Sequence, residues 1–250
     1  MCNGRLLAAT DSPLVKRLAQ AIVTFNYGNT LGDNSLTAHV HRPMWCKICG
    51  VTSVIDAKEA ADAGAGAIGL NFYANSPRVV STEAALGISF ALGEYAPNCE
   101  RIGLFVNHSE REVRAVLKDV PLDILQFHGE ESPEFCELFD VPFIKVLRMR
   151  PDVDFTLIEK QYESAWALLL DTYHPTEAGG TGETFDWRLW PKNSQTKLIL
   201  AGGLTAENVA SAIAQTAPFG VDVSGGVEGD VKGVKEQQLV HRFIKEAKNV

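Results

Sequence analysis

The sequence predicts a (β/α)8 barrel, a TIM barrel in a single domain, preceded by an N-terminal extension. From residue 44 onward, a short apolar run ends at a Gly, Asn, Asp or Ser, and an amphipathic segment with helical spacing follows. The alternation repeats eight times within residues 44–250 and contains no long linker. Eight strand–helix units of this length are typical of a closed barrel of parallel strands.

The apolar runs are the strand candidates, and they are rich in Ile, Leu, Val and Phe, as expected for parallel strands buried on both faces. They cover residues 44–49, 67–72, 101–106, 122–127, 142–147, 165–171, 196–201 and 219–224. An open doubly wound sheet is the alternative fold, but it normally has a G-x-G-x-x-G turn after its first strand. The segment CGVTSV stands there instead, which favours the barrel.

The segments between the strands carry helix signals. Helices are predicted within residues 52–65, 107–120, 129–139, 205–217 and 235–249. Gly64 stands where the first of them would stop. Glu110 and Glu112 come early in the second and Lys118 comes late, which suits the helix macrodipole. Pro133 stands near the start of the third, a position that proline favours.

The bulk composition excludes several classes of protein. The 250-residue chain is 46% hydrophobic and 22% charged, as in ordinary globular proteins, and its formal net charge is −8. A general nucleic-acid binder is more often basic, so no nucleic-acid partner is expected. Every apolar run is far shorter than the roughly 20 residues of a membrane-spanning helix, so no membrane partner is expected either.

Residues 1–43 do not follow the alternation and form the predicted extension. They lack the basic-then-apolar order of a signal peptide. We expect either a real extension of unknown role, in part disordered, or a start codon assigned upstream of Met44. The five cysteines are odd in number and spread along the chain, which favours a reducing compartment over a disulfide framework. The expected location is therefore cytoplasmic.

In such barrels the active site lies at the carboxyl ends of the strands. Two segments with paired glycines close the last two strands, LAGGLTAEN at 200–208 and VDVSGGVE at 221–228. Their small residues allow backbone N–H groups to converge on an anion, so they predict a phosphate site. The alternative is that both segments only join a strand to a helix.

Three further strand-end residues are candidates for the chemistry. Asp171 ends the apolar run AWALLLD, where burial favours a protonated carboxyl group that can act as an acid; a helix cap or ion pair is its alternative role. Cys49 ends the first strand, and alone it is more typical of a small buried apolar residue. Arg78, in the loop after the second strand, can bind a carboxylate through two parallel hydrogen bonds or remain a solvated surface charge.

Cys46 and Cys49 have the C-x-x-C spacing of zinc or redox pairs. Residues three apart on a strand point to opposite faces, so the two sulfurs cannot share a metal or a disulfide while the strand is intact. The sequence contains no second C-x-x-C, and a structural zinc site needs four ligands. We therefore expect neither a metal site nor a redox pair.

The segment GGTGETFDW at 179–187 is glycine-rich and follows the sixth strand, beside Asp171. It lacks the G-K-[ST] ending of a nucleotide P-loop, so that function is not expected. Its composition and position predict a mobile lid instead.

Eight segments, in order, resemble phosphoribosylanthranilate isomerase of tryptophan biosynthesis. They are KICG (47–50), GLNFYANSPR (69–78), GLFVN (103–107), LQFHGEE (125–131), LLLDT (168–172), GGTGETFDW (179–187), LAGGLTAENV (200–209) and VDVSGGVE (221–228). The resemblance covers nearly all of residues 45–248. It implies the barrel fold and an Amadori rearrangement of N-(5'-phosphoribosyl)anthranilate to 1-(2-carboxyphenylamino)-1-deoxyribulose 5-phosphate. It also implies that no metal or organic cofactor is needed and that the enzyme is a monomer or homodimer.

The same resemblance implies a role for each candidate residue. Cys49 is the base that removes the proton from C2 of the sugar, and Asp171 is the acid that protonates the ring oxygen and opens the furanose. Arg78 holds the anthranilate carboxylate, across the barrel mouth from the phosphate loops. The phosphate site is lined by Gly202, Gly203, Ser224 and Gly225, and Asp222 lies near the substrate hydroxyls or the phosphate loop.

Two other functions are alternatives. A different phosphosugar barrel, an epimerase or a synthase, would use a metal-binding His/Asp set or a Lys/Glu pair, whereas His128 is the main strand-end histidine. A non-enzymatic binding barrel would use residues 1–43 as a docking arm. The presence of both Cys49 and Asp171 favours the isomerase over that alternative.

Overall fold

The computed structural model describes residues 44–172, 184 and 186–250, and within them eight parallel strands close into a barrel. In chain order the strands are β1 Trp45–Cys49, β2 Ala67–Asn71, β3 Glu100–Phe105, β4 Ile124–Phe127, β5 Phe143–Met149, β6 Ala167–Thr172, β7 Leu198–Leu200 and β8 Gly220–Val223. Each strand pairs with the next, and β8 pairs with β1 from Trp45↔Gly220 to Ile48↔Val223. The predicted barrel is confirmed, and the open-sheet alternative is wrong because the first and last strands are hydrogen-bonded to each other.

Helices pack against the outside of the barrel. They are α1 Val54–Asp62, α2 Thr82–Tyr95, α3 Glu110–Asp119, α4 Pro133–Cys136, α5 Phe155–Gln161, α6 Val209–Thr216 and α7 Gln237–Lys248. The five predicted helical segments each contain one of these helices. Between β6 and β7 the described residues contain only a short 3-10 helix, Trp187–Leu189, where the eightfold alternation predicts a full helix. The predicted extension at 1–43 and most of the predicted lid at 179–187 lie outside the described residues.

Serine N-caps fix the start of four consecutive helices. In each of them the serine side chain accepts a hydrogen bond from the backbone N–H three residues later; the caps are Ser53, Ser81, Ser109 and Ser132. Ser109 forms a full capping box, because Glu112 also accepts from the Ser109 backbone N–H. Each cap stabilises its helix by about 1 kcal/mol. The loops at the carboxyl ends of the strands therefore enter their helices at fixed points.

The alternation of side chains across the barrel wall divides the core in two. Most strand side chains on the outer face join the helices in the larger core, and Cys46 and Ile48 of β1 belong to it. The barrel interior is filled by a smaller apolar set, which consists of Ala67, Ile102, Ile124, Ile144, Val146, Ala167, Leu169, Ile199 and Ala201. Trp45, Trp166 and Phe219 pack against this inner core with ring centroids 5.6–6.1 Å apart. The interior is therefore a packed core and not a pore.

A buried ion pair joins β5 to the loop after β4. Lys145 Nζ lies 2.9 Å from Glu131 Oε2, and the two side chains are 5% and 3% exposed. Lys145 also donates to the carbonyl of Gly129, and Glu131 accepts from the backbone N–H groups of Asn107 and Gly129. Removal of the lysine would leave a buried carboxylate without its counter-charge, which is costly in a protein interior.

We therefore expect Lys145→Met to lower the free energy of unfolding by about 3 kcal/mol. Urea denaturation followed by circular dichroism measures this loss. The control is Glu207→Gln, which breaks an ion pair with Arg242 whose side chains are 61% and 56% exposed. This change should cost less than about 1 kcal/mol, because exposed ion pairs contribute little. Similar losses of unfolding free energy in the two variants would show that the buried Lys145–Glu131 pair stabilises the fold no more than an exposed ion pair does.

Candidate active site

A cavity of about 500 Å³ opens at the carboxyl ends of the strands. Backbone loops and strand ends from β1 to β4 and from β6 to β8 contribute to its wall. All eight residues that the sequence assigns to the site line this cavity, namely Cys49, Arg78, Asp171, Gly202, Gly203, Asp222, Ser224 and Gly225. Its size and its mixture of apolar and polar walls suit a small-molecule ligand.

The two sulfurs of the C-x-x-C segment lie on opposite sides of the barrel wall. Cys46 packs in the outer core, and its thiol donates to the carbonyl of Met44 at 3.6 Å. Cys49 lies two positions beyond Lys47 on the inner face and lines the cavity. Burial raises the pKa of the Cys46 thiol to about 12, so this thiol stays protonated. Only Cys49 is therefore available for chemistry in the cavity.

Asp171 is held at the rim of the inner core, near the end of β6. Its Oδ1 accepts the backbone N–H of Thr172 at 2.7 Å. Its Oδ2 lies 3.4 Å from Nε2 of His128, which comes directly after β4. Both side chains are about nine-tenths buried, and both line the cavity. One oxygen of the carboxyl group is thus fixed by the backbone, and the other lies beside the His128 imidazole.

The loop after β7 approaches Asp171 because two glycines lie in the left-handed region. Gly202 has φ 85° and Gly203 has φ 59°, a conformation that side-chain-bearing residues rarely adopt. A Cβ at position 202 would also collide with Thr172 and lie 2.9 Å from Asp171 Oδ1. The paired glycines therefore let this loop's backbone contact the acid directly.

The loop after β8 is tied to β1. The hydroxyl of Ser224 donates to the backbone carbonyl of Cys49 at 3.0 Å. A 3-10 helix, Gly225–Val227, begins immediately afterwards, so its first N–H groups have no partner within that helix. Gly225 and Gly226 line the same cavity as Gly202 and Gly203. The geometry suits a bound anion at the β7 and β8 ends.

Arg78 lies beside the loop after β8, so the expectation that it would lie across the barrel mouth from that loop is wrong. Its Nε and Nη2 donate to the two carboxylate oxygens of Glu228 at 2.7 and 2.8 Å. A Cβ at Gly225 would be 3.3 Å from Nη2. The closure of the barrel between β8 and β1 explains this, because the loop after β2 is then only two strands from the loop after β8.

Glu228 also holds a second cation. Its Oε1 lies 2.7 Å from Nζ of Lys235, whose ammonium donates in addition to the Ser224 carbonyl at 3.1 Å. Burial raises the pKa of the Glu228 carboxyl, but the Arg78 hydrogen bonds and Lys235 outweigh it and lower that pKa below its usual value. The carboxylate is therefore charged and fixes the arginine against the cavity wall.

Asp222 of β8 lies opposite Lys47 of β1 in the strand register. Lys47 Nζ donates to Asp222 Oδ1 at 3.0 Å, and the lysine side chain is fully buried. Burial alone would lower the pKa of Lys47, but the charges of Asp222 and Cys49 raise it above its ordinary value. Lys47 is therefore a charged ammonium below the cavity floor.

Sequence reasoning missed Lys47, Gln126 and the pair formed by Glu228 and Lys235. Gln126 lines the cavity from β4 and is 1% exposed, and its side-chain carbonyl has no hydrogen-bond partner among the described residues. A usable signal was present, because Lys47 and Gln126 are polar residues inside otherwise apolar strands. Two other polar residues near the carboxyl ends of β3 and β5, Asn107 and Arg148, do not line the cavity. Asn107 accepts the backbone N–H of Glu130, which stabilises a loop.

The described part of the chain has neither a metal-binding cluster nor a membrane-spanning helix. Within residues 44–172, 184 and 186–250, no three His, Cys, Asp or Glu side chains are grouped so that they could hold a metal ion. Over the same ranges, no helix is both long enough and apolar enough to cross a membrane.

Known proteins resemble this chain over almost the whole barrel. Residues 46–246 match the family model of N-(5'-phosphoribosyl)anthranilate (PRA) isomerase. The N-(5'-phosphoribosyl)anthranilate isomerase of Cellvibrio japonicus (strain Ueda107) is 52% identical over 198 residues, which are 79% of this chain and 90% of that protein. The enzyme of that name from Pseudomonas putida (strain GB-1) is 50% identical over 202 residues, 81% of this chain and 96% of its own length.

Solved structures agree. The crystal structure of phosphoribosyl anthranilate isomerase from Thermotoga maritima has a TM-score of 0.74 and 37% identity, and the match covers 83% of this chain and 100% of that one. A phosphoribosyl anthranilate isomerase in complex with reduced 1-(o-carboxyphenylamino)-1-deoxyribulose 5-phosphate has a TM-score of 0.69 and 35% identity, with the same coverage. The family model, the sequence identities and these structures together show that this chain belongs to the N-(5'-phosphoribosyl)anthranilate isomerase family.

Proposed function

We propose that this chain isomerises N-(5'-phosphoribosyl)anthranilate to 1-(2-carboxyphenylamino)-1-deoxyribulose 5-phosphate in tryptophan biosynthesis. The observation that carries the proposal is one cavity that contains a cysteine at the end of β1 and a carboxyl group near the end of β6. These strands are three positions apart in a ring of eight, so the two groups face a bound ligand from nearly opposite sides. Membership of the isomerase family supports the same reaction.

The reaction needs an acid and a base on two neighbouring parts of the sugar. Asp171 donates a proton to the ring oxygen, the C1–O bond breaks, and the anilino nitrogen forms an iminium with C1. The Cys49 thiolate then removes the proton from C2, and the electron pair of that C–H bond neutralises the iminium as an enolamine. Protonation at C1 and loss of the C2 hydroxyl proton give the ketone. Positioned groups of this kind contribute about 10²–10⁴-fold each.

The ends of the substrate have different partners in the cavity. The phosphate is proposed to bind the backbone of Gly202, Gly203, Ser224 and Gly225, where N–H groups and small residues line the wall. The anthranilate carboxylate is proposed to bind Arg78. Glu228 occupies Nε and Nη2 of that arginine, which leaves the Nη1 amino group for the substrate. Asp222 is proposed to lie near the sugar hydroxyls, because it lines the cavity beside Cys49.

We further propose that the enzyme acts in the cytoplasm as a monomer or homodimer, without a metal or organic cofactor. The four described cysteines are all free and buried, in keeping with a reducing compartment. A relative from Thermotoga maritima is a dimeric phosphoribosylanthranilate isomerase. Gel filtration with light scattering distinguishes the two assembly states.

Cys49→Ala and Asp171→Asn should each reduce kcat by about 10²–10⁴-fold, because each removes a proton-transfer group. The loss of anthranilate-type fluorescence as phosphoribosylanthranilate is consumed measures turnover. Urea denaturation should show that both variants remain folded. Cys136→Ala is the matched control, because this buried thiol lies in the outer core, and it should retain near-normal kcat. Normal turnover in Cys49→Ala or Asp171→Asn would remove the role assigned to that residue.

The rate should rise with pH on the side governed by the base. Burial raises the pKa of the Cys49 thiol above its ordinary value, and the thiolate is the form that accepts a proton. As pH rises toward this pKa the thiolate fraction increases, so kcat/KM should increase between about pH 6 and about pH 8. Stopped-flow rates at constant ionic strength provide the profile. A profile that is flat across this range would contradict Cys49 as the group that limits the rate.

Arg78→Lys should raise KM by about tenfold or more, because a lysine ammonium cannot keep both hydrogen bonds to Glu228 and also present the Nη1 donor to the substrate. The inhibition constant of inorganic phosphate should change much less, since phosphate is proposed to bind the β7 and β8 loops. Steady-state kinetics with phosphate as a competitive inhibitor measures both quantities. Equal weakening of substrate binding and phosphate binding would show that Arg78 affects the whole cavity and does not bind the carboxylate specifically.

A further inference from the structure

Lys47 is a buried cation that the reaction described above does not use. It lies in the middle of β1, its side chain is fully buried, and it does not line the cavity. A charged ammonium in such a place is costly unless other groups compensate for the lost water. Asp222 supplies one compensating charge at 3.0 Å.

The geometry places the lysine next to Cys49. Residues two apart on a strand share a face, so Lys47 and Cys49 both point into the barrel interior. On the neighbouring strand, Gly69 is opposite Cys49 in the register. A Cβ at position 69 would lie 2.9 Å from Cys49 Sγ and 3.1 Å from Lys47 Nζ. Cys49 Sγ and Lys47 Nζ therefore both lie close to the backbone of Gly69, and they lie within about 6 Å of each other. Opposite charges interact strongly over this range.

We propose that Lys47 is a positioning residue for catalysis: its ammonium stabilises the Cys49 thiolate, and Asp222 holds that ammonium in place. This inference rests on the proposed role of Cys49 as the carbon base. It explains why a lysine occurs where the other inner-face residues at this level are mostly apolar. It also explains why β2 has a glycine at position 69, since a side chain there would separate the ammonium from the sulfur.

Four charged side chains interact with the Cys49 thiol, namely Lys47, Asp222, Lys235 and Arg78. Burial raises the pKa of the Cys49 thiol, Lys47 lowers it, Asp222 raises it and Lys235 lowers it. Arg78 also interacts with the sulfur from the loop after β2. Arg78 and Lys235 both form ion pairs with Glu228, so much of their charge is already balanced. Lys47 is the cation on the same strand and the same face as the thiol.

The test measures the thiol directly. Full-length protein with Cys2→Ser is treated with iodoacetamide across a pH series, and the alkylation of Cys49 is followed by peptide mass spectrometry. The remaining described thiols interfere little, because burial raises the pKa values of Cys46, Cys99 and Cys136 to about 12. In Lys47→Met we expect the midpoint of Cys49 alkylation to move up by about one pH unit or more, so that alkylation near neutral pH is about tenfold slower. Lys47→Arg should retain most of the normal rate, because it keeps the charge.

Two further variants separate this role from a structural one. Lys145→Met removes another buried lysine from an ion pair, but on the outer side of the wall, and should leave the midpoint unchanged. If Lys47→Met does not fold, Lys47→Gln retains an amide that can donate to Asp222 without a charge, and the same upward shift is expected. An unchanged midpoint in a folded Lys47→Met or Lys47→Gln protein overturns the proposal, as does an equal shift in Lys145→Met.

The pH profile of kcat/KM connects the thiol to catalysis. The part of the profile in which kcat/KM rises with pH should shift to higher pH in Lys47→Met, by the same amount as the alkylation midpoint. A shift in alkylation without a shift in the rate profile would leave the Lys47–thiolate interaction standing and would contradict Cys49 as the base. The failure of this inference is therefore distinguishable from the failure of the proposed function.

Discussion

The hydrogen bonding of β8 to β1 is the constraint on which the site depends. Without it, Asp222 and Ser224 would lie at one edge of a sheet, and Lys47 and Cys49 at the other. With it, the Lys47 ammonium meets the Asp222 carboxylate and the Ser224 hydroxyl binds the Cys49 carbonyl. These contacts join residues about 175 positions apart in the chain. The reacting end of β1 is therefore formed only when the last strand has been added.

Charge is arranged in two small clusters around the cavity. In one, Lys47 is balanced by Asp222 and lies beside the thiol. In the other, Glu228 lies between Arg78 and Lys235 and is bonded to both. The second cluster has a net positive charge and is connected through Lys235 to the Ser224 carbonyl. Because a ligand with a phosphate and a carboxylate is anionic, excess positive charge at this wall favours its binding, while the buried pair under the thiol keeps the interior close to neutral.

Periodicity made the fold predictable, and contacts between distant segments limited the prediction of the site. The apolar runs located all eight strands to within two residues at each end, because both faces of a parallel strand are buried and leave a continuous hydrophobic signal. Alternation along β1 also placed Cys46 and Cys49 correctly on opposite faces.

The Arg78–Glu228 pair could not be found in this way, since its partners are 150 residues apart and meet only through barrel closure. Lys47 and Gln126 were not predicted because the candidate residues came from the ends of the strands, whereas these two polar residues lie within strands. The full helix expected after β6 did not appear among the described residues between β6 and β7, which contain only the 3-10 helix Trp187–Leu189.

Gly69 limits the amino-acid substitutions that the protein can accept at this position. The residue has no functional group, it contacts no ligand in the proposed reaction, and a survey of catalytic side chains would pass over it. Even so, any larger residue there would intrude on the sulfur of Cys49 and the nitrogen of Lys47 at the same time. The choice of residue at position 69 is therefore restricted by the side chains at positions 47 and 49. Gly69 thus contributes to the active site because its lack of a side chain leaves room for the sulfur of Cys49 and the nitrogen of Lys47.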